Sequence, residues 1–473
     1  MNRLTSQSAP SVLRAAIRWV VVGLVFSVSA LSVPAQTNDA SVTDTNLPAW
    51  LTRPLSLVDA LNTTLQQNTT ILKAKSDLEA TYGVVVQTRA IVIPKLQASG
   101  SFTGNDPSLI EQFPIPSVPF TLPHENWSGS IQIVQSVYEG GRMFSALRAA
   151  KLTKQQALLQ YQTVVADTLL ATRVAYYDVL LAAQQIVVNE ASVNLLTREQ
   201  EDQQRRYDAG TVPRFNVLRA EVAVANARPA LIRARNDYRI AKNNLSNLLG
   251  YNLPRDVWED IPLKLTDQFD TNSYAISLPA AIAQALEKRT ELQALKKAED
   301  LQKENIVNAR SGYQPSVQAF AGYDWRSSQF HTDLSREVDG WTVGAQLNWN
   351  IFDGLLTRGK VMQAKAQYEK SKADLADSSR QIELQVRTAY SSFIEAREVL
   401  DSQQKIQEEA DEALRLARAR AEAGTGTQLD VLDAETSLTQ ARTTQVQALH
   451  DYAVARARLE RAIGQDMIEA AAK

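Results

Sequence analysis

The chain has 473 residues, and its 50 Lys and Arg balance 52 Asp and Glu, so no basic excess draws it to nucleic acid. It contains no cysteine, which excludes disulfides, thiolate metal sites and a lipidated N-terminal cysteine. Only 18 Gly and 16 Pro interrupt long stretches rich in Ala, Leu, Gln, Glu and Arg, the composition of long helices.

Residues 1–35 read as an export signal. Arg3, Arg14 and Arg18 make a positive start, Trp19 to Val33 is apolar, and Val33-Pro34-Ala35 offers a small-residue cleavage site before Gln36. The apolar run is short for a helical span of about 20 residues. Residues 36–54 are mostly polar and expected to be flexible. No later segment reads as long and apolar enough to cross a bilayer as a helix. An exported chain of this kind is then either soluble or a β-barrel.

From residue 55 the chain is a duplicated half-molecule, with repeat one at 55–252, a linker at 253–276, repeat two at 277–466 and a tail at 467–473. Gly210 aligns with Gly424, an offset of 214 residues that also superposes Trp127 on Trp341, Arg173 on Arg387 and Gly250 on Gly464. Upstream the offset becomes 221, pairing Pro94 with Pro315 and Leu65 with Leu286. A period this long is not a solenoid of small units, and each half should build the same elements.

Repeat one begins with a helical run from Leu65 to Ile93, followed by a strand pair at 95–104 and 127–138. Arg142 to Arg206 then gives 65 residues without Pro or Gly, about 100 Å of helix. A turn at 207–214 leads into a second helical run, Arg214 to Leu249, where Pro229 predicts a kink. The two shorter runs together match the long one, so the simplest geometry stacks them end to end beside it. Repeat two predicts the same order: strands at 316–325 and 341–352, a long helix, a turn at 421–428 and a helix. Ile382, Val386, Ala389, Phe393, Ala396 and Leu400 are spaced four-three-four-three-four, and Ala175, Val179, Ala182 and Ile186 keep that spacing in repeat one. This is coiled-coil packing.

Period-two alternation marks the strands. Trp341, Val343, Ala345, Leu347, Trp349 and Ile351 share one face, while Thr342, Gly344, Gln346, Asn348 and Asn350 share the other. An apolar face bounded by aromatics and an uncharged polar face suit a membrane-spanning strand of about 9–11 residues. Leu96, Ala98, Gly100 and Phe102, then Trp127, Gly129, Ile131 and Ile133, then Val317, Ala319, Ala321, Tyr323 and Trp325 alternate likewise. A soluble hairpin with one buried face fits any single such strand equally well. Four strands are too few to close a barrel, since the smallest single-chain ones use about eight. Open edges are not tolerated in lipid, so several chains must share one barrel. The loops Asn105 to Asn126, with five prolines, and Arg326 to Gly340 would lie outside the cell.

The order of strand pair, long helix, Ala-Gly-Thr turn and shorter helix, repeated behind an export signal, resembles the TolC-like outer-membrane efflux proteins (outer membrane factors) over residues 55–466. The most specific segments are Ala423-Gly424-Thr425 with Thr427-Gln428-Leu429-Asp430-Val431-Leu432-Asp433-Ala434, Phe352-Asp353-Gly354, and Tyr138-Glu139-Gly140-Gly141. The resemblance implies a mainly α chain with membrane β-structure: a long α-helical coiled-coil tunnel domain plus four strands contributed to a trimeric twelve-stranded β-barrel. It implies a homotrimer in the outer membrane of a Gram-negative bacterium, in contact with outer-membrane lipid and extending far into the periplasm. Such a channel-tunnel is the passive exit duct of a tripartite export system. It passes drugs and toxic small molecules while docked to a periplasmic adaptor (a membrane fusion protein) and an inner-membrane pump of RND or ABC type. An exit duct for type I protein secretion is the alternative, and a periplasmic coiled-coil scaffold without channel activity a more distant one.

Asp430 and Asp433, three residues apart, share a helix face, and the resemblance places them in an acidic ring at the pore constriction. The same positions suit a capping-box helix start, Thr427-x-x-Asp430. Their repeat-one counterparts are Asn216 and Arg219, so one turn per chain is acidic. Some family members latch the tip with a Tyr and an Arg where this chain has Ala421 and Gly426, so that latch cannot form here. The tip turns Gly210-Thr211 and Gly424-Thr425, with Val217, Leu218, Val431 and Leu432, are the candidates for adaptor docking; packing of the tunnel wall is the other use for those Val and Leu side chains. No catalytic, cofactor-binding or metal-binding pattern is evident and no enzyme is expected. His124, His331 and His450 are dispersed and read as solvated surface.

Overall fold

A computed structural model of the chain describes residues 54–109, 123–251, 260–269, 274–328 and 333–465. The expected export signal, nearly all of the polar segment 36–54, the tail, parts of the linker and of both outer loops, and His331 lie outside the described residues.

Each repeat builds two short helices, a strand pair, a 67-residue helix and a helix of 35 or 36 residues. Repeat one contains α1 (Leu57–Gln67), α2 (Thr69–Arg89), β1 (Lys95–Gly104), β2 (Glu125–Glu139), α3 (Arg142–Asp208) and α4 (Arg214–Leu248). Repeat two contains α5 (Leu278–Lys288), α6 (Thr290–Arg310), β3 (Ser316–Ser327), β4 (Glu337–Asn348), α7 (Leu356–Glu422) and α8 (Gln428–Ile463). At 1.5 Å per residue the long helices α3 and α7 each extend about 100 Å.

The helical run expected from Leu65 starts earlier and is broken. Asn68 has an extended ψ of 125°, and its side-chain oxygen accepts from the amides of Thr70 and Ile71, so one residue ends α1 and caps α2. Arg289 makes the same break between α5 and α6. The two shorter runs of each repeat do meet end to end beside the long helix. Asn68 Nδ2 donates to Leu248 O at the end of α4 (2.7 Å), and Arg289 Nη1 donates to Ala462 O near the end of α8 (3.3 Å). Pro229 lies inside α4 without ending it.

The strands form one antiparallel sheet in the order β1-β2-β3-β4, so β1 and β4 are both edges. β3 runs on to Ser327, which pairs with Glu337, and begins at Ser316, which pairs with Asn348. β4 therefore starts four residues before the expected Trp341 and stops before Trp349 and Ile351; Trp349 Nε1 instead donates to Tyr313 O (3.2 Å). The alternation is as expected: Trp341, Val343 and Leu347 lie exposed on one face, with Trp341 edge-on to Tyr323 (5.2 Å between centroids). Ser99–Ser130 and Ser101–Ser128 hydrogen bonds cross the other face.

One stretch of α3 is, by length and composition alone, apolar enough to cross a membrane, contrary to the sequence reading. The helix that contains it is far longer than a span and packs along α2, α4, α6 and α8, although only 11% of that apolar stretch is buried within the chain. The coiled-coil seam is realised. Ile382, Val386, Phe393 and Ala396 of α7 are buried with Tyr452, Leu459 and Ile463 of α8 and Ala281, Ala285 and Leu292 of α5 and α6. In repeat one Ala175, Val179 and Ala182 are buried.

Candidate pore-lining and tip residues

Both long helices end in the same turn. Ala209 N donates to Arg205 O, Gly210 N to Tyr207 O and Thr211 N to Arg206 O; the bonds Ala423–Ala419, Gly424–Ala421 and Thr425–Arg420 repeat them 214 residues on. Thr211 and Thr425 each add a hydroxyl bond to the same carbonyl. Gly210 and Gly424 sit at φ +73° and +74°, a left-handed conformation that a side chain would strain. Gly210, Thr211, Gly424 and Thr425 are all exposed.

The apolar candidates beside the turns divide. Val217, Val431 and Leu432 are buried within the chain, and only Leu218 is exposed. Val431 packs with Leu414 and Leu438, so three of the four side chains fill the wall and offer no surface for a partner.

Asp430 and Asp433 are both exposed at the start of α8. Asp430 Oδ2 accepts from Thr427 N and Thr427 Oγ1, each at 2.9 Å, while Thr427 Oγ1 accepts from Asp430 N, which completes a capping box. The backbone and hydroxyl hydrogen bonds from Thr427, with the charge of Arg420, hold the Asp430 carboxyl below the ordinary Asp range. Asp430 thus caps its helix while remaining charged. At the equivalent turn Asn216 O accepts from Gln428 Nε2 (3.1 Å), a bond between the two hairpins that the sequence reading did not foresee. Arg418 Nη2 pairs with buried Glu435 across the second hairpin (2.9 Å), although burial pushes the Glu435 carboxyl upward. Its repeat mate Glu221, 214 residues earlier, is exposed.

Farther from the tip, polar groups knit α3 to α8. Arg173 is 2% exposed and its Nη1 lies 2.5 Å from Glu460, itself 1% exposed and held also by Arg456 Nε at 2.9 Å. Arg461 pairs with Asp167 of α3 and Glu291 of α6. His450, expected at the surface, is buried: Nε2 meets Asp178 of α3 at 2.8 Å and Nδ1 meets Asp451 at 3.0 Å. Burial opposes a charge there, but the two carboxylates outweigh it and raise the imidazole above its ordinary value. The signal was its place one helical turn beyond buried Val446. Among the described residues no group of three His, Cys, Asp or Glu side chains is placed to hold a metal.

The profile of the outer membrane efflux proteins matches residues 60–251 and 281–465, one segment in each repeat. Outer membrane protein TolC of Vibrio cholerae is 25% identical over 417 residues, covering 86% of this chain and 90% of that protein. The alkaline protease secretion protein AprF of Pseudomonas aeruginosa is 25% identical over 339 residues, covering 71% and 69%. Among solved structures, the outer membrane protein VceC of Vibrio cholerae superposes with a TM-score of 0.72 at 18% identity, covering 87% of this chain and 96% of that one, which shows the shared fold. The two-segment match, the duplicated strand–helix–turn–helix order and the four-stranded sheet agree: the chain belongs to the outer membrane efflux protein family, channel-tunnels of the Gram-negative outer membrane.

Proposed function

We propose that three copies, the number the resemblance implies, close into a twelve-stranded barrel continued by a helical tunnel, the passive exit duct of a tripartite small-molecule efflux system. One observation carries this reading. α3 packs against α8 within the chain, whereas their repeat mates α7 and α4 share no packed interface among the described residues. α4 instead exposes Phe215, Leu218, Val222, Ile232 and Ile240 along one face, and α7 exposes Leu384, Val399, Ile406 and Leu416. β1 and β4 are the unpaired edges of the sheet. A heterologous contact that repeats an internal one generates a ring when its rotation closes, and closure also satisfies the open sheet edges that lipid forbids.

In the assembled ring Asp430 and Asp433 form an acidic constriction that favours cations, supported by their shared exposed helix face and by the charge held on Asp430. The exposed turn residues Gly210, Thr211, Gly424 and Thr425, with Leu218, receive a periplasmic adaptor, and an RND or ABC pump supplies the energy. Protein secretion is the second reading, favoured by the likeness to AprF.

The test is native mass and single-channel recording of the purified chain. A trimer with conductance is expected. Val222→Asp with Leu384→Asp should leave folded monomers without current, and Asp430→Asn with Asp433→Asn should keep the trimer but relieve block by divalent cations. A wild-type monomer that carries no current would overturn the reading.

A further inference from the structure

One row on the polar face of the sheet sets two apolar side chains, Val134 and Phe320, beside Lys95. Lys95, Val134, Phe320 and Gly344 stand directly opposite one another across β1, β2, β3 and β4. The row above reads Gln97, Gln132, Gly322 and Thr342, and the row below brings Ser136, Gln318 and Gln346 together. Two side chains reach across neighbouring glycines on this face. A Cβ on Gly344 would stand 2.7 Å from the far end of the Phe320 ring, and a Cβ on Gly322 would stand 2.5 Å from Gln132 Cγ. Phe320 therefore lies across β4 instead of projecting into the bore, and it remains half-exposed. Together with Ile93 and Met143 at the helix end, these rows border a recess of about 910 Å³.

An aromatic ring facing water is costly unless something covers it, and each of the glutamines around it carries both a donor and an acceptor. Resting on the channel reading above, we propose that this row is a contact site inside the conduit for planar aromatic small molecules, which stack on Phe320 and exchange hydrogen bonds with Gln132, Gln318 and Gln346. The amides carry no charge of their own, and the charged groups that line the recess, Lys95, Glu139 and Arg142, are of both signs. The glycines at 322 and 344 let the platform lie flat, so the site slows a solute without narrowing the passage.

The experiment records the purified full chain in planar bilayers with caffeine, planar and uncharged, or trehalose, uncharged and saturated, added to the bath. Caffeine should reduce the current at lower concentration than trehalose does. Phe320→Leu, which fills the same notch without a ring, should raise the half-blocking concentration of caffeine about three- to tenfold, Phe320→Trp should hold or lower it, and neither should change the response to trehalose. Should the Leu variant respond to caffeine as the wild type does, Phe320 only fills the notch at Gly344 and the proposal falls. A wild-type chain without current would instead overturn the channel reading, and the proposal with it.

Discussion

The two repeats build the same helices in the same register yet live in different surroundings. α8 buries a long series of side chains from Val431 to Ile463, whereas α4 buries only eight. Arg173 is sealed against Glu460 across the α3–α8 seam, but its repeat mate Arg387 pairs with Glu383 on its own helix with 53% of its side chain exposed. Identical elements thus end with one packed border and one open border. The lesson is that the duplication packs one border within the chain and leaves the matching border open.

The ion pairs give the sharpest contrast. Glu460→Ala would remove the buried carboxylate that Arg173 and Arg456 share and should cost about 3–5 kcal/mol of unfolding free energy. Arg387→Ala removes only an exposed same-helix pair and should change stability by less than about 0.5 kcal/mol. Denaturant unfolding in detergent, followed by helix signal, compares them; similar losses would mean that the two borders are alike after all.

The inter-helix breaks come next. Asn68 is 4% exposed, caps α2 and satisfies Leu248 O. Asn68→Ala should cost about 1–2 kcal/mol by the same unfolding measurement. At the equivalent position Arg289 binds Glu291, Gln385 and Ala462 O, a different set of partners for the same junction.

The smallest effect concerns His450. Its folded-state pKa is raised above the ordinary 6.5. Its contribution to stability should be fully present below pH 6.5 and be lost as pH rises through the raised value. Thermal melts between pH 5 and 9 should show the wild type losing part of its advantage over His450→Gln at the alkaline end. A constant difference across that range would remove the charged imidazole from the account.

Much of this architecture was legible in the chain. The reading of one 65-residue helix in each half was close to the two 67-residue helices observed, whose ends differ by the repeat offset of 214, because helix ends are set locally by Gly210 and Gly424 and by the caps. The faces of the strands followed from alternation, since a pleated strand leaves each side chain only two directions. Helix breaks were less legible: nothing in the run around Asn68 announced that one side chain would serve two helices, a role that depends on the end of α4 lying beside it.

The sequence by itself determined the elements, their order, their repetition and the chemistry on each strand face, all of which rest on short-range periodicity. Only the tertiary structure decided that Val217, Val431 and Leu432 fill the wall, that His450 and Arg173 are buried, and that Gln428 joins the two hairpins. Those outcomes depend on which helix lies beside which. Residues that correspond under the repeat, such as Arg173 and Arg387, carry the same local code and part company only through their neighbours.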